Sequence, residues 1–157
     1  MHHRFMIFFL LFLTFESRLS AAPPVDCKKS LNIRATQAAP LSFGDLLVSG
    51  AGTAVIGTNS SRYTNGLVIT ANGLVSAAEL IVTGCKDSPY NISIGASTTI
   101  ISGVNSMVVD SFSTDPVMGL LDPTGKQSLF IGATLHIGNG QPAGVYSGAF
   151  LVEVIYQ

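Results

Sequence analysis

The stretch Gly144-Val-Tyr-Ser-Gly-Ala-Phe-Leu-Val-Glu-Val-Ile-Tyr-Gln157 closes the chain and decides how the rest is read. From Phe150 onward, alternate residues are Phe150, Val152, Val154 and Tyr156 on one side and Leu151, Glu153 and Ile155 on the other. Successive side chains of a β-strand point to opposite faces, so the first set predicts a continuous apolar row and Glu153 marks the wet face. No turn and no further strand follow Tyr156. An apolar strand with an open edge is a template for pairing, so something is expected to cover it.

Working back from this ending, the chain offers short apolar runs separated by turn residues and no long run of helical period. That spacing predicts an all-β protein. Strands are expected near Leu31–Ala35, Leu41–Val48, Ala54–Thr58, Leu67–Thr70, Ala78–Thr83, Tyr90–Ile94, Met107–Phe112, Leu129–Ile137 and Tyr146–Tyr156, with a further short one at Thr98–Ser102. Asn65-Gly66, Asn72-Gly73, Asp122-Pro-Thr-Gly125 and Gly138-Asn-Gly140 supply residues that tolerate positive φ at the turns. The expected architecture is one immunoglobulin-like β-sandwich over residues 41–157, preceded by an N-terminal arm at residues 22–40.

The chain opens Met1-His-His-Arg4 and continues with the apolar run Phe5–Phe15. That run is far shorter than the roughly 20 residues a membrane-spanning helix needs, and small residues follow it. A basic start, a short apolar core and small residues describe a secretory signal peptide, here residues 1–21, cut after Ala21. The destination is then the periplasm, the cell surface or the extracellular space, and no later run is long enough for a transmembrane helix. Cys27 and Cys85 are the only cysteines, and in an exported chain they predict one disulfide. It would close a loop of about 60 residues and contribute ~4 kcal/mol in the chain-entropy model. The chain carries a net charge of −1 with no basic stripe, which argues against a nucleic-acid partner.

Catalytic chemistry finds little support. After signal removal His136 is the one histidine, and it alternates with the apolar row Leu129, Ile131, Ala133, Leu135 and Ile137. Gly144-Val-Tyr-Ser-Gly148 has the wrong spacing for a nucleophile elbow. Asp115 and Asp122 each precede a proline, which is turn chemistry, so with Asp110 they predict neither a metal site nor an acid pair. Gly50-Ala-Gly52 lacks the third glycine and the helix of a dinucleotide motif and reads as a loop. No catalytic residue, metal or cofactor is expected.

The ending resembles the last strand of chaperone–usher pilins, which carry a penultimate tyrosine and a glycine fourteen positions from the end. Here Tyr156 is penultimate and Gly144 is fourteenth from the end. Leu41-Ser-Phe-Gly-Asp45, Leu80-Ile-Val-Thr-Gly-Cys85, Ser88-Pro-Tyr-Asn-Ile-Ser-Ile94 and Gln141-Pro-Ala-Gly-Val-Tyr146 resemble, in order, segments of spore-coat-U-type pilins and related secreted bacterial domains of unassigned function. Cys27 departs from the pattern, lying well upstream of where such domains place their first cysteine. The resemblance implies a sandwich that lacks its final strand. A periplasmic chaperone, and later the N-terminal arm of another subunit, would supply that strand beside the C-terminal one.

On this reading Gly144, Phe150, Val152, Val154 and Tyr156 line the strand-addition groove, and Val25, Leu31, Ile33 and Ala35 form the donor row of the arm. Lys29 interrupts that row. The expected function is an exported structural subunit of a surface fibre or pilus-like assembly. Its partners would be other copies or related subunits, a chaperone and an outer-membrane usher. The rival expectation is a self-contained secreted binding module, such as a carbohydrate-binding sandwich, closed by its own N-terminal strand. Edman sequencing of the exported protein is expected to begin at Ala22, and a mature chain that still starts at Met1 would remove the export argument.

Overall fold

The computed structural model describes residues 33–157, so the expected signal peptide and the positions Val25, Cys27 and Leu31 lie outside the described residues. Within them the chain forms β-strands and no helix, in an immunoglobulin-like sandwich. The central strand is β11 (Lys126–Ile137). Its inward row is the alternating set Leu129, Ile131, Ala133, Leu135 and Ile137, none more than 4% exposed.

One edge of β11 pairs with β9 (Asn105–Asp115). The other edge has two partners in succession. It pairs first with β6 (Ala78–Thr83), Leu129 opposite Leu80, and then with β3 (Leu46–Ile56), Leu135 opposite Ala54. Outside these lie β1 (Arg34–Ala39) against β6, β4 (Arg62–Thr70) against β3, and β8 (Ser97–Ser102) against β9. All pairings in this seven-stranded sheet are antiparallel. The second sheet is smaller, with β10 (Gly119–Leu120), β7 (Pro89–Ile94) and β12 (Val152–Tyr156) in that order. A two-stranded pair, β2 (Ser42–Phe43) with β5 (Val75–Ser76), closes one end.

The inner faces meet in two apolar clusters. Val82, Tyr90, Leu121, Leu129 and Ile131 belong to the first, with Ile92, Val152, Val154 and Tyr156 packed on it from the smaller sheet and Phe150 from the segment before β12. Ala54, Val109, Leu135 and Ile137 belong to the second, which is covered mainly by side chains of its own sheet and of the Leu41–Leu46 segment. The smaller sheet therefore roofs the first half of β11 and leaves the second half with thinner cover.

Several boundaries differ from those expected. Leu41–Val48 and Ala54–Thr58 are not two strands; Gly50-Ala-Gly52 is not a loop but part of one long strand, with a register shift between Val48 and Gly52. Glycine permits this because a Cβ at Gly50 would meet the Leu67 side chain at 2.5 Å. The last strand begins at Val152 rather than Tyr146; the segment before it makes a single bridge, Ser147 with Ile101. The sandwich starts at β1, not at residue 41, because Ala35 pairs with Val82 and Thr36 with Ile81. The short strand expected at Thr98–Ser102 is present as β8.

Two polar devices hold the connections. The Arg62 guanidinium donates to the carbonyl oxygens of Phe43 at 2.8 Å, Asp45 at 3.0 Å and Ala71 at 2.6 Å, tying three stretches of backbone together. The Tyr90 hydroxyl donates to Gln127 Oε1 at 2.8 Å, which also accepts the Leu120 N–H at 2.9 Å. The fully buried Tyr90 ring lies flat on Gly119, in the space where a Cβ would stand. Gly119→Ala must therefore displace a ring with no free volume around it and is expected to cost about 1–3 kcal/mol. The measurement is a lower midpoint in urea with an unchanged slope.

Candidate functional site

The sheet order leaves two strands at adjoining edges, β1 at the end of the larger sheet and β12 at the end of the smaller. Between them opens a groove of about 1110 Å³. One wall is β1 and the segment that follows it, including Ala35, Gln37 and Leu41. The other is the run from Gln141 to Val152. The floor is the thinly covered second half of the larger sheet, with Leu80, Ile100, Met107, Val109, Leu135 and Ile137.

One edge of β12 is unpaired among the described residues, and it meets the groove at Val152. Gln157 N–H donates to the Pro89 carbonyl at 3.2 Å, and Val154 stands opposite Ile92. In an antiparallel pair, alternate residues send their N–H and C=O to opposite edges. Glu153 and Ile155 therefore bond toward β7, while Val152, Val154 and Tyr156 turn their backbone groups to the open edge. No strand pairs with that edge among the described residues.

The expected facing of the last strand holds. Phe150, Val152, Val154 and Tyr156 are half-buried against the core, whereas Leu151, Glu153 and Ile155 are exposed. Their roles divide along the strand. Phe150 and Val152 line the groove, and Gly144 lies on its rim, where a Cβ would meet Ser102 Oγ at 2.6 Å. Phe150 is held by the Phe112 ring, with centroids 5.0 Å apart. Val154 and Tyr156 pack on the core at the closed end and do not line the groove. The Tyr156 hydroxyl accepts the Cys85 N–H at 2.7 Å, and Cys85 itself is 1% exposed. Cys27, its expected partner, lies outside the described residues.

The donor arm needs correction. Ile33 and Ala35 pack on the core of their own sandwich, and Ala35 sits within β1. Neither is free to enter another groove, because withdrawing it would strip a ladder and uncover Val82. The arm is reduced to residues before Ile33, where Val25 and Leu31 lie outside the described residues.

The polar candidates His136, Asp110 and Asp122 do not line the groove. His136 is exposed on the outer face and its Nε2 meets Asp110 Oδ1 at 2.8 Å. The hydrogen bond from His136, with a second from Ser111, holds the Asp110 carboxyl below its ordinary range. Asp122 caps its own turn: its Oδ1 accepts the N–H and hydroxyl of Thr124, both at 2.7 Å, and the Lys126 N–H at 3.0 Å. The bond from Lys126 is the chief cause of its lowered carboxyl. No group of three potential metal ligands converges among the described residues.

The floor residues Ile100, Met107, Leu135 and Ile137 were not anticipated as part of the site. Their alternation was visible in the sequence, but only the offset of the two sheets says that this part of the row is open.

Residues 33–156 match a family model described as a domain of unknown function (DUF4402), and the chain belongs to that family. Comparisons with curated proteins and with solved structures returned no match.

Because Val152 faces the groove and Glu153 faces away from it, Val152→Asp is expected to destabilise the domain by about 1–3 kcal/mol. Glu153→Lys should fall within about 0.5 kcal/mol of the parent. Thermal unfolding of the two variants checks the facing, and equal effects would contradict it.

Proposed function

We propose that this member of the family is an exported structural subunit of a surface fibre or pilus-like assembly, whose sandwich is completed by an added strand lying between β1 and β12. The observation that carries the proposal is the groove: an apolar floor beneath two strand edges, one of which presents the backbone groups of Val152. An extended segment meets both needs at once. Its backbone pairs with the open edge, and its alternate side chains fill the floor. Of the donor row Val25 and Leu31 remain ahead of Ile33, and two such side chains at ~1.5–3 kcal/mol each would contribute roughly 3–6 kcal/mol before ordering costs.

The donor in this proposal is the segment upstream of β1 in a neighbouring copy or related subunit, shortened to residues 22–32. A periplasmic chaperone would occupy the groove before assembly, and an usher would exchange one strand for the other. A secretory signal at residues 1–21 and a Cys27–Cys85 disulfide belong to the same reading, since both fit an oxidising destination. The role is structural rather than catalytic.

Deletion of residues 22–32 from the mature protein should leave a domain that still folds around β1 but cannot donate a strand. A synthetic peptide of residues 22–32 should bind it and raise its Tm, as any ligand selective for the folded state does. Size-exclusion chromatography of the intact mature chain should show oligomers that the deletion abolishes. A chain that stays monomeric at every concentration and ignores the peptide would overturn the proposal and leave the self-contained binding module.

A further inference from the structure

Of the four methionines in the chain, Met1 and Met6 fall in the expected signal peptide, which leaves Met107 and Met118. Their surroundings differ. Met118 is 68% exposed in the turn between β9 and β10. Met107 lies within β9, opposite Ile100 of β8. It is half-buried, packs on the second apolar cluster and forms part of the groove floor with Val109, Leu135 and Ile137. Among the described residues no other sulfur lines the groove, since Cys85 is 1% exposed and stands away from it. The groove therefore opens one thioether to solvent in the middle of an aliphatic floor.

A thioether takes an oxygen atom from a peroxide. The O–O bond breaks, one oxygen bonds to sulfur, the sulfur is oxidised to a sulfoxide, and the peroxide is reduced to water. The product carries a strong hydrogen-bond acceptor on a side chain that had been apolar. While the groove is empty, water reaches that oxygen. A strand laid on the floor displaces the water, and the side chains of Ile100, Val109, Leu135 and Ile137 offer no donor in its place. The backbone offers none either, because β9 and β11 are paired on both edges in this region. A buried polar group without a partner is costly, so the cost of oxidation falls on strand addition and spares the fold of the empty domain.

We propose that Met107 is a modification site: oxidation of its sulfur by a peroxide weakens the addition of a strand to the groove, and an added strand shields the sulfur from the oxidant. The proposal rests on the reading of the groove as a strand-addition site. Its two halves are one coupling seen from either side, as linkage between two binding events requires. Reduction by a pair of thiols reverses the step, the oxygen leaving as water while the thiols become a disulfide.

The test treats the full mature chain with hydrogen peroxide, alone and with a saturating peptide of residues 22–32 that carries Cys27→Ser and so holds no sulfur. Peptide mapping by mass spectrometry then locates the added oxygen. Met118 should oxidise equally in both samples, whereas Met107 should oxidise in the free protein and be protected by the peptide. Calorimetric titration should give the oxidised protein a peptide Kd at least tenfold higher, about 1.4 kcal/mol. Its Tm without peptide should match that of the untreated protein. Met107→Leu nearly conserves volume and should bind the peptide as the parent does, with no response to peroxide. Met118→Leu should keep the response. A peptide that binds the oxidised and untreated proteins equally, or leaves Met107 unprotected, would overturn this proposal while the strand-addition reading stands. Peroxide treatment that unfolds the empty domain would overturn it too, and a peptide that binds neither form would overturn both.

Discussion

The inward row of β11 extends further than the smaller sheet can roof, and most of the molecule's character follows from that mismatch. Five alternating apolar side chains demand cover along the whole strand. β7 and β12 supply it over Leu129 and Ile131. Beyond them, Leu135 and Ile137 are shielded by side chains from their own sheet and from the Leu41–Leu46 segment, which leaves a groove instead of a closed core. Removing apolar surface from water is the main favourable term in folding, at roughly 25 cal/mol per Å². A groove with an aliphatic floor is therefore a place where further burial remains to be gained.

The same offset explains why strand edges dominate the surface chemistry. β11 has two partners in succession along one edge, so the larger sheet splits into two arms, one ending at β1 and the other at β4. Each arm ends in an edge. The β1 edge faces β12 across the groove, and the β4 edge faces outward beside the exposed Leu67 and Ile69. The charged and polar side chains act locally instead. Arg62 ties loops, Asp122 caps a turn, and His136 bonds to Asp110 on the open face of the sheet.

The all-β class and the alternation of the last strand were legible because period-two patterning is local, and Phe150 through Tyr156 obeys it without interruption. The row of β11 was legible for the same reason. Less accessible were features set by contacts between distant strands. Gly50-Ala-Gly52 has the composition of a loop, yet the absence of Cβ atoms there is what lets Leu67 approach and keeps a long strand continuous. Ile33 and Ala35 alternate as a donor would, but the same alternation suits a strand that pairs with β6 at home. Alternation alone does not distinguish the two uses. The groove itself depends on where the smaller sheet stops, and no single segment encodes that.

The bond from the Cys85 N–H to the Tyr156 hydroxyl joins groups 71 residues apart. Its acceptor is carried by β12, the last strand in chain order. A chain made from its N-terminus cannot form that contact until Tyr156 has been made, nor can β7 acquire β12 before then. Folding dominated by such non-local pairings is slow, in the range of milliseconds to seconds for all-β domains. The smaller sheet therefore stays without one of its two edge strands until β12 has been made.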